Sequence, residues 1–396
     1  MNFIRRSLTG KALLLFGLLT VLVMAVGIFL QRAEIGGVST PIFLIVMVLM
    51  LLIPLLAFIL DVVVPLNRVI QEIKHLLTGK NYKRVDPITI DEIGVMTHFF
   101  NEITKDLEKI SYDIKERRRM SSELDIAAQI QKDVLPKEAP EAQGLDIVAR
   151  TRTASEVGGD TFDFLLSPNR DQLFVYIGDV TGHGVPAGLV MMMVDTLMTT
   201  LVSQGMSNGR DLVVLTNKLL TPRISTRIFM TNVVLRWDKP TQKLYYTGAG
   251  HEHVLVYHAK TETVDAIQSG GIALGMIPDV SKIVQEKEIP LEVGDTIVLY
   301  TDGITEAKNQ IGEMYGLAHL KESLQKNGYR PSSENILDGL TKDFSSFVQE
   351  YVQIDDITMI VIKYLGREAE SRKVQLIVNT EKPTTSGQHK VWNWTD

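Results

Sequence analysis

The sequence predicts a layered α+β domain carried behind two membrane-spanning helices and a long helical linker. Three observations predict it. Two apolar runs, residues 12–30 and 41–60, lie near the N-terminus, and no Asp or Glu occurs before Glu34. Apolar residues at helical and then heptad spacing follow up to about residue 135. Beyond residue 145, short runs of β-branched and aromatic residues alternate with separate helical patterns. The 396 residues exceed one ordinary domain, so several units are expected. Lys and Arg number 41 against 47 Asp and Glu, a net charge of −6, which argues against a nucleic-acid partner held by phosphate neutralisation. The chain has no cysteine, which excludes disulfides, thiolate metal sites and a cysteine nucleophile.

Each apolar run is about long enough to cross a bilayer as a helix. The charged start resembles a signal peptide, but the run is longer and lacks a small-residue cleavage site. Arg5, Arg6 and Lys11 precede the first span and place the N-terminus in the cytoplasm. Two spans return the chain there, so everything after Asp61 is expected to be cytoplasmic, on a multi-pass protein of the cytoplasmic (inner) membrane. Residues 1–61 thus form a hairpin, and its external loop of about ten residues, QRAEIGGVST, is too short to fold as a sensor domain.

From Val64 the pattern is amphipathic: Leu66, Val69, Ile70, Ile73, Leu76 and Leu77 fall on one helical face behind Pro65. Gly79 and Pro87 break the helix, and a second periodic run starts near Asp91. Helix, extended connector, helix, directly after a span, resembles a HAMP domain over residues 62–115. Pro65 and Asp91-Glu92-Ile93-Gly94 sit where that family places its proline and its D-E-x-G-like motif. The second helix runs on. Ile103, Leu107, Ile110 and Ile114 make a heptad seam, continued by Arg117, Ser121, Leu124, Ala128, Gln131 and Leu135. Polar residues at two successive core positions predict a weak point in a homodimeric coiled coil. Ile126, Ile130 and Val134 form a second stripe, so the helix is expected to pack both on a partner and on the next domain. Pro136 ends it. Residues 116–136 are therefore expected to be a helical linker.

In the C-terminal half, residues 137–365, strands are expected at LDIVART, LFVYIGDV, IFMTNVVLRW, KLYYTG, HVLVYH, TIVLYTDG and ITMIVIKYL, with helices at 185–204 and 332–348. Asp160 lies in V-G-G-D-T-F-D-F, Asp179 in I-G-D-V-T-G-H-G, Asp302 in L-Y-T-D-G-I-T-E and Asp355 in D-D-I-T-M-I-V-I. One such Asp-Gly is an ordinary turn. Four carboxylates, each abutting a β run, are costly unless paired or holding a cation. Oxygen donors without cysteine suit hard ions, Mg²⁺ or Mn²⁺.

In order and context these motifs, with G-A-G-H at 248–251 and A-A-Q-I-Q-K-D-V-L-P at 127–136, resemble the SpoIIE-type branch of the PPM metal-dependent serine/threonine phosphatases. The resemblance spans about residues 121–365. It implies a β-sandwich of two antiparallel sheets flanked by helices, with two divalent ions, Mn²⁺ or Mg²⁺, at one edge. Carried over, Asp160 binds one metal, Asp179 bridges both with the Val180 carbonyl adding a ligand, and Asp302 and Asp355 hold the other. Asp160, Asp179 and Asp302 are then the catalytic set. Asp356 and Asp163 are expected just behind the ligands, and His183 and His251 read as structural. The family often has Asn where this chain has Gly248, and Pro-Ala where it has Thr153-Ala154. The implied reaction is hydrolysis of phosphoserine or phosphothreonine on a partner protein, a STAS-domain anti-anti-sigma factor by the branch's habit. G-G-D-T-F also resembles the signature of diguanylate cyclases, but their upstream metal and nucleotide motifs are missing. A catalytically silent docking module is the other alternative. Residues 366–396 read as a flexible tail without assigned function, with one β-like run, KVQLIV, followed by a polar stretch.

Overall fold

The six-stranded sheet of the catalytic half puts its most apolar strands at its centre, where both faces are covered. The computed structural model describes residues 7–32, 40–87, 91–136, 140–349, 353–369 and 372–379. Most of the external loop, residues 33–39, and residues 380–396 therefore lie outside the described residues. The chain divides into two compact units, Met1–Arg119 and Met120–Asp396.

The first unit is helical. Helices α1 (Leu8–Arg32) and α2 (Thr40–Phe58) pack together, and a π-helical turn at Ile59–Val63 leads into α3 (Val64–Leu77), with Pro65 in its first turn. Among the described residues, three helical stretches are long and apolar enough to cross a membrane: Leu8–Phe29, Leu52–Leu77 and Val185–Ser203. The last buries Val190, Met191, Val194, Met198 and Val202 in the catalytic half, so its apolarity has a soluble explanation. Helix α4 (Glu92–Val134) starts at Asp91, whose carboxylate accepts from the N–H groups of Ile93 (3.1 Å) and Gly94 (3.3 Å) as an N-cap. Asn101 on α4 holds the connector by donating to the Val85 carbonyl (2.7 Å) and accepting from its N–H (3.1 Å). The helix–connector–helix order is thus present. Ile103, Leu107, Ile110 and Ile114 stay 39–53% exposed in the single chain, an unpartnered stripe.

The second unit is a four-layer sandwich. Its strands are β1 (Glu141–Ala142), β2 (Leu145–Arg152), β3 (Thr161–Leu166), β4 (Gln172–Val180), β5 (Met230–Asp238), β6 (Lys243–Ala249), β7 (Val254–His258), β8 (Thr263–Ile267), β9 (Glu286–Ile289), β10 (Thr296–Tyr300), β11 (Ile357–Tyr364), β12 (Arg372–Lys373) and β13 (Gln375–Asn379). Strands β1 and β12 pair with each other; of the two large sheets, one has the order β13-β2-β11-β10-β7-β8 and the other β3-β4-β5-β6-β9. Between them lie Ile147, Phe162, Phe164, Val175, Ile177, Val233, Leu235, Ile297, Leu299, Ile360 and Ile362, one side of each strand's alternation. The opposite side of the second sheet buries Phe174 and Tyr176 under α5 (Val185–Ser203) and α6 (Gly209–Leu220). The opposite side of the first buries Val298, Tyr300, Met359 and Val361 under α8 (Gly316–Asn327) and α9 (Ser333–Val348), after the one-turn α7 (Asp302–Thr305). Strands covered on both faces read as nearly continuous apolar runs, as TIVLY and ITMIVIKY do.

Two expectations change. Gln375–Asn379, read as part of a flexible tail, pairs in parallel with β2, so the first sheet is mixed rather than purely antiparallel. Gln131 and Leu135, read as part of the dimer seam, turn inward: Gln131 is 6% exposed and Leu135 packs on the core between the sheets. Ile126 and Ile130 are exposed instead. A residue buried against its own domain cannot also line a seam with a partner.

Candidate active site

Strand register brings the acidic motifs to one edge of the sandwich. Asp160 directly precedes β3 and Asp179 is the penultimate residue of β4. The antiparallel pairing of Thr161 with Gly178 sets the two side by side. Asp302 follows β10 by two residues, and Asp355 and Asp356 directly precede β11. The pairing of Tyr300 with Met359 brings these strand ends together. Hydroxyls join the two sheets: Asp160 Oδ2 accepts from Thr301 Oγ1 (2.8 Å) and Thr358 Oγ1 (2.6 Å). Sequence reasoning missed both threonines. Their signal was present, since each stands next to a strand end in T-D-G and D-I-T.

Asp356 organises the G-G-D loop. Its Oδ1 accepts from the Ala154 N–H (2.7 Å), and its Oδ2 from the N–H groups of Gly159 (2.6 Å) and Asp160 (3.4 Å). The approach is so close that a Cβ on Gly158 would stand 2.5 Å from Asp356 Oδ2, and one on Gly303 1.9 Å from the Asp356 carbonyl oxygen. Asp356 therefore stands behind the loop that carries Asp160.

The electrostatics are those of crowded carboxylates. Burial, then the charges of Asp302, Asp355 and Asp356, push Asp179 up to about 8. Burial, then Asp355, Glu306 and Glu252, push Asp302 up to about 6. Burial, then Asp179 and Asp356, hold Asp160 well above the usual carboxylate range. Asp302 Oδ1 is buried without a hydrogen-bond partner. A Cβ on Gly159 would stand 2.9 Å from the Val180 carbonyl oxygen and 3.5 Å from Asp179 Oδ1, so this glycine keeps the space before those oxygens open. Among the described residues no three acidic or imidazole side chains already form a closed cation cage. An all-oxygen donor set, an orphaned buried carboxylate oxygen and mutually repelling charges nevertheless fit hard divalent cations.

The remaining candidates separate from this cluster. His251 is buried and pushed down to about 4 by that burial, so it is neutral. With Tyr300's carbonyl 3.0 Å from Nε2, that nitrogen carries the proton and donates, while Nδ1 accepts from Thr231 Oγ1 at 2.9 Å. It ties β5 to β10 and plays a structural part. His183 is exposed between Gly182 and Gly184. Asp163 does not stand behind the four aspartates. It lies under α5 in a buried group with Asp195 and Tyr176, whose hydroxyl donates to Asp195 Oδ1 at 2.5 Å. Odd-numbered spacing from Asp160 turns it to the other face of β3.

The linker reaches this site. Gln131 of α4 donates from Nε2 to the Gly158 carbonyl (2.7 Å), and its Oε1 accepts from the Gly158 N–H (3.0 Å). Gln131→Leu keeps the volume and orphans both buried backbone groups, two residues from Asp160. Its expected effect is a roughly tenfold rise in the Mn²⁺ concentration giving half-maximal rate, at the low end for groups that position ligands. An unchanged metal dependence would mean that this contact does not shape the site.

Residues 169–365 match the family model described as Stage II sporulation protein E (SpoIIE). The chain is 29% identical over 249 residues to the phosphoserine phosphatase RsbU of Bacillus subtilis, covering 62% of this chain and 71% of RsbU. The SiaA-PP2C domain of Pseudomonas aeruginosa superposes with a TM-score of 0.53 at 20% identity, covering 63% of this chain and 98% of that one. The RsbU and RsbW domains of Rv1364c from Mycobacterium tuberculosis superpose with a TM-score of 0.50 at 25% identity, covering 58% of this chain and 64% of that one.

Proposed function

We propose that the chain, of which residues 169–365 match the SpoIIE family model and whose second unit has a PP2C-type fold, is a membrane-anchored signalling phosphatase. It hydrolyses phosphoserine or phosphothreonine on a partner protein, a phosphorylated STAS-domain protein. The observation that carries this reading is the convergence of Asp160, Asp179, Asp302 and Asp355 on one sandwich edge, with Asp302 Oδ1 buried and unpartnered.

In this reading Asp160, Asp179, Asp302, Asp355 and the Val180 carbonyl hold two divalent ions, Mn²⁺ or Mg²⁺. When bound, the ions supply an acidified water and offset charge on the phosphoryl oxygens. The protein's own contribution is placement. Thr301 and Thr358 fix Asp160 through one oxygen and leave the other for the ligand role. Asp356 and Gln131 hold the G-G-D loop from two sides. Without a cysteine, direct hydrolysis needs no thiol-linked intermediate.

The N-terminal residues 1–61 anchor the chain as two spans with the catalytic half in the cytoplasm. Residues 62–115 act as a HAMP-like unit, and 116–136 as the linker to residues 137–365. The exposed stripe from Ile103 to Ile114 supports a homodimer through α4. The test is phosphate release by the full chain in nanodiscs from a panel of phosphorylated STAS-domain proteins. Release is expected with Mn²⁺ and is abolished by EDTA and restored by added metal. Release indifferent to EDTA, or none from any phosphoserine compound, would reject the reading.

A further inference from the structure

We propose that a cleft beside the catalytic edge selects substrates by seating an aliphatic side chain next to the phosphorylated residue. This inference rests on the phosphatase reading and adds a specificity-determining surface to it. The cleft encloses about 140 Å³ and begins at Gly303 and Asp355, each in or next to the acidic motifs. One bank is the loop that carries Ala307, Lys308 and Met314, and the other carries Ile354. That volume is about the size of a cavity that takes one benzene ring, so it has room for one leucine-sized group.

The loop is built to present apolar groups rather than to hide them. Tyr315 anchors its base. It is 3% exposed, its N–H donates to the Ala307 carbonyl, and its ring packs edge-on against Phe344 at 5.2 Å. Asn309 clamps the tip: its Oδ1 accepts from the N–H groups of Ile311 (3.1 Å) and Glu313 (2.9 Å). On this fixed frame Ile311 is 79% exposed and Met314 55% exposed, and Ile354 across the cleft is 72% exposed. A tethered loop with bare aliphatic side chains at the rim of a catalytic site has the character of a docking surface.

Charge identifies the occupant. Outside the proposed ligand set, Glu306 lines the cleft and Glu252 and Asp356 stand at the same edge, carboxylates that bound cations would leave uncompensated. Acidic residues flanking a phosphoserine are repelled there, so affinity for the flanking chain must come from apolar contact. Among the residues lining the cleft Lys308 is the one cation, placed to meet a backbone carbonyl or the phosphate. The fitting partner is therefore a phosphorylated segment with an aliphatic neighbour and few acidic ones.

The test uses the full chain in nanodiscs with Mn²⁺. Its substrates are phosphoserine decapeptides on a Gly/Ser background, with one Leu or one Asp moved from three residues before to three after the phosphoserine. N-acetyl-phosphoserine amide, which has no neighbouring side chain, is the small reference. At one position Leu is expected to raise kcat/KM about tenfold over Gly, the usual value of one filled apolar pocket, and Asp to lower it. Ile311→Ala with Met314→Ala is expected to remove that gain through KM, with the reference substrate within about twofold of wild type; Met314→Leu restores it beside Ile311. Turnover with no preferred Leu position overturns the proposal, as does an equal loss on peptide and reference. So does a change of oligomeric state with KM unaltered, which would mark the face as a contact between copies. Absence of turnover even on the reference would overturn the phosphatase reading along with it.

Discussion

Asp179→Asn is expected to lower phosphoserine turnover by at least about 10²-fold, the scale of losing one electrostatic element of a preorganised site. The substitution keeps size and shape and removes the charge that both ions would share. The same change should not weaken the metal-free fold. Burial and the charges of Asp302, Asp355 and Asp356 oppose ionisation of Asp179, so a neutral amide there removes the cost of holding an acid in that place. A melting temperature equal to or above that of wild type in EDTA, together with the loss of rate, separates catalysis from folding. Turnover near the wild-type level would remove Asp179 from the site.

Asp356→Ala is expected to cost both activity and stability. Asp356 is 5% exposed and accepts from three backbone N–H groups of the loop that carries Asp160. Each donor left unpaired in a buried place costs about 1–3 kcal/mol, so the variant should melt several degrees lower. It should also lose about 10²-fold in rate as Asp160 loses its placement. Asp356→Asn retains a carbonyl oxygen for one side of the loop and should fall between the two. Measured melting curves and rates in the order wild type, Asn, Ala would bear this out. An Ala variant as active as wild type would mean that the loop holds itself.

Much of this was legible in the amino-acid order because strand periodicity and the acidic motifs carry strong local signals. The central strands β10 and β11 are apolar throughout, and their ends fall where T-D-G and D-D-I-T place them. The helices at Val185–Ser203 and Ser333–Val348 were equally plain. Edge strands were not. Glu286–Ile289 and Thr263–Ile267 are short and carry exposed charged or polar residues, which is how sheet edges avoid pairing with other chains. Strand β3 was hidden inside the motif read for its carboxylates, and α6 and α8 were overlooked between stronger patterns. The run KVQLIV has a β-like pattern, but its parallel pairing as Gln375–Asn379 with a strand more than 200 residues away is not a local signal. At the site, proximity of the four aspartates followed from their strand ends. Face assignment was harder. Asp163 resembled a neighbour of Asp160 in sequence, yet a strand turns alternate residues apart, and it serves a different buried group. Gln131 fitted the heptad register but is held by Gly158 instead, because a helix with two stripes does not declare which stripe meets its own domain.

The most direct measurement of the central claim is a Mn²⁺ titration of the full chain, followed by calorimetry and electron paramagnetic resonance. If the four aspartates and the Val180 carbonyl hold a pair of ions, the wild-type chain binds two Mn²⁺ with a spin-coupled spectrum. Asp179→Asn then binds fewer ions and loses the coupling. A single uncoupled ion in the wild type, or binding that is unchanged in Asp179→Asn, would contradict the account.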